Sequence, residues 1–157
     1  LSHTMNALID YGVIPIVNEN DALAVEEIKV GDNDTLSALL VPVIDADLLI
    51  LVSDIDGLYT DNPHVNPQAQ LLKYVERIDE RIEKMASGSS SKLGTGGMAT
   101  KIKAAKIVND YGKDMVIVSG QKQNALLHIF DEHEEGTWFN GQSGKNLNAR
   151  DSLVDLS

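Results

Sequence analysis

An α/β fold with a mainly parallel sheet is predicted by three features of this chain. The first is a pair of short, continuously apolar runs, Leu48 to Val52 (LLILV) and Met115 to Val118 (MVIV), of the kind that fills a sheet covered by helices. The second is alternation: a helix-patterned segment stands before each run, Thr35 to Val41 before one and Met98 to Tyr111 before the other. The third is the polar residues at the runs' carboxyl ends. Ser53 and Asp54 end one, Ser119 and Gly120 the other, and open α/β sheets bind ligands beyond the carboxyl ends of their strands.

In chain order, Met5, Leu8 and Ile9 recur at helical spacing, so Ser2 to Tyr11 is expected as a helix stopped by Gly12 and packed by one face onto a sheet. Val13 to Val17 is expected as the next strand, with Pro15 placing it at a strand end or an edge. A polar knot comes next, Asn18, Glu19, Asn20 and Asp21, and Ala24 to Val30 alternates weakly, as in a short hairpin. After a second knot, Asp32 to Asp34, Asp34 stands where an N-cap belongs, and Pro42 should kink or end the helix that begins at Thr35. Leu48 to Val52 has the pattern of a central strand covered on both faces. A Pro- and Asn-rich loop reaches Gln70, then come a short strand, Leu71 to Val75, and a helix, Asp79 to Ala86, capped by Asp79. Ser87 to Gly97 is too rich in Ser and Gly to form an element. The long helix from Met98 closes at Gly112. Asn124 to Phe130 reads as a helix, Thr137 to Phe139 as a last strand, and the residues from Asn140 as a polar tail.

Composition narrows the function. The 157 residues carry 13 basic and 24 acidic side chains, a formal net charge of −11, so a nonspecific nucleic-acid surface is not expected, although a local cationic pocket remains open. Absence of cysteine removes thiolate metal sites and disulfides and fits a reducing cytoplasm. No apolar run approaches the ~20 residues that cross a bilayer, and no signal peptide is visible, so no membrane role is expected. Leu1 is not a methionine, and a helix already in progress at Ser2 reads as part of a longer chain.

Three loops carry groups suited to chemistry. In the first, Asp21 is suited to an ammonium, Asn33 to a carboxylate, and Asp32 or Asp34 to a cation or lysine; turn formation alone is the other reading of these residues. In the second, Gly94, Thr95, Gly96, Gly97, Met98, Ala99, Thr100 and Lys101 lead into the long helix, whose free N–H groups and positive end suit phosphate, with Lys101 one turn in. This is not a Walker sequence, and a flexible connector is the alternative. In the third, Ser53 and Asp54 stand where a nucleotide is contacted, and Gly57 permits close approach. The Asp-x-Asp-Gly here also resembles the haloacid dehalogenase phosphatases, with Asp54 as nucleophile and Asp56 as acid/base. Order argues against them, because that family's lysine and further acids come after the nucleophile, whereas the acidic GDND precedes it. His3, His64, His128 and His133 lack metal-ligand spacing, and Glu132 to Glu135 reads as a solvated charge run. Tyr59 and Trp138 are open to base stacking or to the core.

With these residues in view the chain resembles the amino acid kinase family, in the branch that phosphorylates L-glutamate at the head of proline biosynthesis. The motifs are IPIVNENDA (Ile14 to Ala22), IKVGDND (Ile28 to Asp34), VSDIDGLYT (Val52 to Thr60) and GTGGMATK (Gly94 to Lys101), with Ala104, Ala105 and Gly112 continuing the last. One such motif is weak; four in order are specific, and the NEND and GDND pair separates this branch from carbamate, uridylate and aspartate relatives.

The resemblance implies a three-layer α/β/α sandwich in which residues 1–139 are the C-terminal, ATP-binding portion of the kinase domain and 140–157 a tail. It implies that Asp21 and Asn33 hold glutamate and that Ser53, Asp54 and Thr95 through Lys101 contact ATP. It also implies that Asp34 organises catalytic lysines of which Lys101 is one, that Mg²⁺ accompanies ATP, and that the protein is a cytoplasmic homo-oligomer. Two departures stand out. The family's opening strand, its first glycine-rich loop with another lysine and a further glutamate loop are not found here, so the chain alone is expected to be inactive. Thr60-Asp61-Asn62-Pro63 also stands where Thr-x-Asp-Pro is usual. The expectation from another class is a module that binds nucleotide or glutamate without turnover.

Overall fold

In the computed structural model of the chain, residues 2–18, 32–87, 96–131 and 135–141 are described. Their elements are α1 (Ser2–Asp10), α2 (Asn33–Val43), β1 (Leu48–Ser53), β2 (Tyr74–Val75), α3 (Glu80–Ser87), α4 (Gly96–Asp110), β3 (Asp114–Ser119), α5 (Ala125–Asp131) and β4 (Thr137–Phe139). These strands form one sheet in the order β1-β3-β4-β2. β1 lies parallel to β3, from Leu48 beside Asp114 to Ser53 beside Ser119, and β2 lies parallel to β4. β3 and β4 run antiparallel, so the sheet is mixed and mostly parallel.

Successive strand residues point to opposite faces, and β3 is apolar on both. Met115 and Ile117 join Leu51 and Phe139 in a core completed by Ala38 and Val41 of α2, Ile82 and Ala86 of α3, and Ile102, Ala105 and Val108 of α4. Val116 and Val118 face the other way, into a smaller core with Trp138 and with Ala125 and Ile129 of α5. These two cores define the expected three layers. α2 and α4 pack along one another, and Ala38, Ala104 and Ala105 in their shared core are fully buried, short enough to let the helices lie close.

Connection lengths then place the helix starts. α4, about 22 Å long at 1.5 Å per residue, ends at Asp110, and β3 begins at Asp114. Its first turn is therefore carried back to the carboxyl end of β3. α2 relates to β1 in the same way, ending at Val43 before Leu48. Both helix N-termini and the residues Ser53 and Asp54 thus lie at one edge of the sheet.

A single hydroxyl organises the loop after β1. Fully buried Thr137 donates from Oγ1 to Leu72 O (2.6 Å) and accepts from Leu58 N (2.8 Å), closing the base of the excursion that begins at Thr60. Gly57, at φ +152°, brings its Cα against this hydroxyl, and a Cβ there would collide with Thr137 Oγ1.

Several expectations are corrected. No strand forms over residues 13–17: Val13, Ile14 and Ile16 are exposed, Pro15 supplies no N–H, and no described strand lies beside them. α1 buries only Met5 and reaches the end of α2, where Ser2 Oγ donates to Val43 O (3.3 Å), rather than laying a face on the sheet. β1 is not central. Among the described residues it stands at the sheet's edge, paired with β3 alone, with Leu51 buried and Val52 exposed. Pro42 does close α2 as expected, from inside its last turn, the helix ending one residue later. α4 starts at Gly96, two residues earlier than expected. The expected hairpin at 24–30 and the tail beyond Gly141 lie outside the described residues.

Candidate active site

The start of α2 is set by Asp32, not Asp34. Asp32 is extended (φ −157°, ψ 151°), and its Oδ1 accepts from Thr35 N (2.7 Å) while Oδ2 accepts from Thr35 Oγ1 (2.9 Å). That pair of hydrogen bonds makes Asp32 the N-cap and moves Asp34 into the first turn, where the helix's positive end favours its charge. Asn33 is the first helical residue, and its side chain is exposed.

The start of α4 meets it. Lys101 Nζ lies 3.0 Å from Asp34 Oδ2, with side chains only 12% and 21% exposed. Thr100 Oγ1 lies 2.7 Å from the same oxygen and 2.8 Å from Gly97 O. Met98 packs onto the larger core, which fixes the first turn, while Gly97 and Ala99 face solvent. A helix that opens Gly96-Gly97 presents its first N–H groups without side chains crowding them, next to a partly buried ammonium. This arrangement suits a polyanion.

The third set lies at the carboxyl end of β1. Ser53 Oγ donates to Asp54 Oδ1 (3.1 Å), Gly120 N donates to Ser53 O (2.7 Å), and Asp54 is exposed. Beside it stands a network the sequence did not reveal. Tyr59 Oη donates to Asp56 Oδ2 (3.0 Å), and Lys122 Nζ reaches Glu135 Oε2 (2.7 Å) and Asp56 Oδ1 (3.9 Å). Burial, then the Asp56 hydrogen bond, pushes the Tyr59 phenol above its ordinary value. The Glu135 hydrogen bond foremost raises the Lys122 ammonium. Glu135 is thus an ion-pair partner rather than part of a solvated run, and no local spacing announces it. Trp138 belongs to the smaller core.

Asn33, Asp34, Gly96, Gly97, Met98, Ala99, Thr100 and Lys101 are therefore gathered where two helices begin, and Ser53 and Asp54 stand on the same edge of the sheet. Asp21 and Thr95 lie outside the described residues. The lysine pairs with Asp34, while Asp56 is engaged by Tyr59 and Lys122, an arrangement unlike a phosphatase nucleophile pair.

The chain is similar to several known proteins. Glutamate 5-kinase of Clostridium acetobutylicum is 57% identical over 139 residues, 88% of this chain and 52% of that protein. Glutamate 5-kinase of Clostridium tetani is 54% identical over the same length and the same shares. The chain thus spans about half the length of the curated relatives it matches. Among solved structures, UMP kinase from Bacillus anthracis superimposes with a TM-score of 0.65 at 16% identity, covering 90% of this chain and 52% of that one, a likeness of fold alone. The sequence profile of the amino acid kinase family matches residues 1–119, and with the layered sheet and the paired helix starts that match makes the chain a member of the amino acid kinase family.

Proposed function

We propose that this chain is the ATP-binding portion of an enzyme that transfers a phosphoryl group from ATP to the side-chain carboxylate of L-glutamate, giving γ-glutamyl phosphate, the opening step of proline biosynthesis. The observation that carries the reading is the junction of Asp34, Thr100 and Lys101 at the two helix starts. The high identity to proteins named glutamate 5-kinase supports the choice of acceptor.

In this reading a glutamate carboxylate oxygen attacks the γ-phosphorus, the bond to the β,γ-bridging oxygen breaks, and ADP leaves. A carboxylate is ionised at neutral pH, so no general base is required. Placement and charge remain to be supplied. The Lys101 ammonium and the N–H groups opening α4 face the phosphates, where negative charge spreads during transfer. Ser53 and Asp54 hold the nucleoside, Asn33 the glutamate carboxylate and Asp21 its ammonium, with Thr95 completing the phosphate loop. Mg²⁺ arrives on the nucleotide and supplies further positive charge when bound. Asp34 Oδ1, which accepts no hydrogen bond from the described residues, is the oxygen of this junction that fits a second cationic group. Residues 1–139 form this portion and 140–157 a tail, and the whole protein works in the cytoplasm as a homo-oligomer.

The 157-residue chain by itself is expected to bind nucleotide without turnover. The test uses the full-length protein that carries it: acyl phosphate trapped as hydroxamate should form only with ATP and glutamate together. Lys101→Ala should reduce this by a factor on the order of 10² or more while the fold is retained. Full activity in that variant would sink the assignment.

A further inference from the structure

Beyond the residues that touch the nucleotide in this reading, we propose that Thr100 is a positioning residue that works through Asp34, and that its hydroxyl is not a phosphate contact. The inference rests on the function proposed above. Thr100 has one hydroxyl proton and two acceptors in range, Gly97 O at 2.8 Å and Asp34 Oδ2 at 2.7 Å. Gly97 O is placed to accept the helix's own N–H bond from Lys101, and an ionised carboxylate is the stronger acceptor. The proton therefore goes to Asp34.

Thr100 and Lys101, adjacent on α4, both address Oδ2 of the same carboxylate. Two donors on one oxygen restrict the rotation of the carboxylate and leave Oδ1 without a hydrogen bond from the described residues, and they hold the ammonium with two of its three donors left for an anion. The support behind Asp34 is rigid: Asp32 locks the start of α2, and the packed α2–α4 pair sets the spacing between the helices. With the hydroxyl removed, Asp34 keeps its charge but loses the constraint on its orientation, and Lys101 swings with it. The loss falls on the transfer step more than on nucleotide binding.

In the full-length protein, Thr100→Val should lower kcat about 10-fold to 100-fold with KM for ATP changed by less than about threefold, since displacing a supporting group typically costs that much. Thr100→Ser, which keeps the hydroxyl, should restore the wild-type kcat. In an Asp34→Asn background, Thr100→Val should add little, because the two act on one element. Should the valine variant fail to fold, Thr100→Ala against Thr100→Ser makes the same comparison. A raised KM for ATP at unchanged kcat would show a direct phosphate contact, and additive losses in the double variant an independent packing role; either overturns the inference. If Lys101→Ala keeps full activity, the function itself is wrong. If Lys101→Ala is inactive and Thr100→Val is normal, only the role of Thr100 is lost.

Discussion

At the scale of single side chains, Tyr59 holds its proton more tightly than a free phenol. Burial withholds water from the phenolate, and Asp56 adds a hydrogen bond to the neutral phenol and a negative charge against the ion, so the proton leaves above the ordinary phenol value of about 10. Stability takes its sign from this. Between the unfolded and the raised folded value the unfolded chain holds fewer protons, so stability falls as pH rises through that window. Lys122, also raised, moves in the same direction, its contribution being intact below about 10.5 and lost as pH climbs through its folded value. In Asp56→Ala the phenolate absorbance should develop at lower pH than in the parent, yet still above the ordinary value because burial, the larger cause, persists. Superimposed titration curves would contradict the assignment. Single residues were legible where chemistry is local: Asp79 caps α3 as expected, its Oδ1 accepting from Ile82 N at 3.0 Å. The cap of α2 was misjudged because Asp32 and Asp34 carry the same group, and only backbone geometry distinguishes an N-cap from a first-turn acid.

At the scale of elements, Thr137 joins β4 to both arms of the loop beyond β1. Thr137→Val keeps the volume and strips the hydroxyl, leaving Leu58 N and Leu72 O without their partner. Unfolding in urea should then show a loss of about 2 kcal/mol or more, from two polar groups each worth ~1–3 kcal/mol when left unsatisfied. A loss within about 0.5 kcal/mol, the range of ordinary surface changes, would mean that water replaces the hydroxyl. Elements whose evidence lies inside them were readable. The apolar run of β3, the Gly112 that ends α4 and the three residues of β4 stand where they were expected. Strand neighbours were not readable. LLILV reads as covered on both faces, but a run of letters reports what a strand can bury, not which strand lies beside it, and β1 stands at the edge of the described strands. Val13 to Val17 failed for the same reason, since its backbone groups have no described strand to pair with. At the site, both glycine-rich and acidic knots were visible, whereas the bond between Thr100 and Asp34 spans a sequence separation of 66, beyond any local pattern.

At the scale of the molecule, the described residues cover the two faces of the sheet unequally. Three helices enclose one core, while the other rests on α5, which leaves Leu126, Leu127 and Phe130 exposed near an edge strand that itself exposes Val52. Among the described residues nothing pairs with the free side of β1, and an open parallel edge next to apolar side chains favours pairing with a second chain. The 157-residue chain on its own should therefore associate as its concentration rises, and Val52→Lys should shift elution toward the monomer. Elution independent of concentration in the parent chain would show that the edge is already protected. Asp114 leaves one more consequence. It accepts the indole N–H of Trp138 (2.8 Å) on one oxygen and Gly141 N (2.7 Å) on the other, holding the chain's single tryptophan in the α5 core, across the sheet from the packed α2–α4 pair. Its emission is thus an internal gauge of whether β3 and β4 are zipped. A ligand seated at the helix starts, across the sheet, should leave that light unchanged, so one fluorometer should tell a chain that has lost its fold from one that has only lost its ligand.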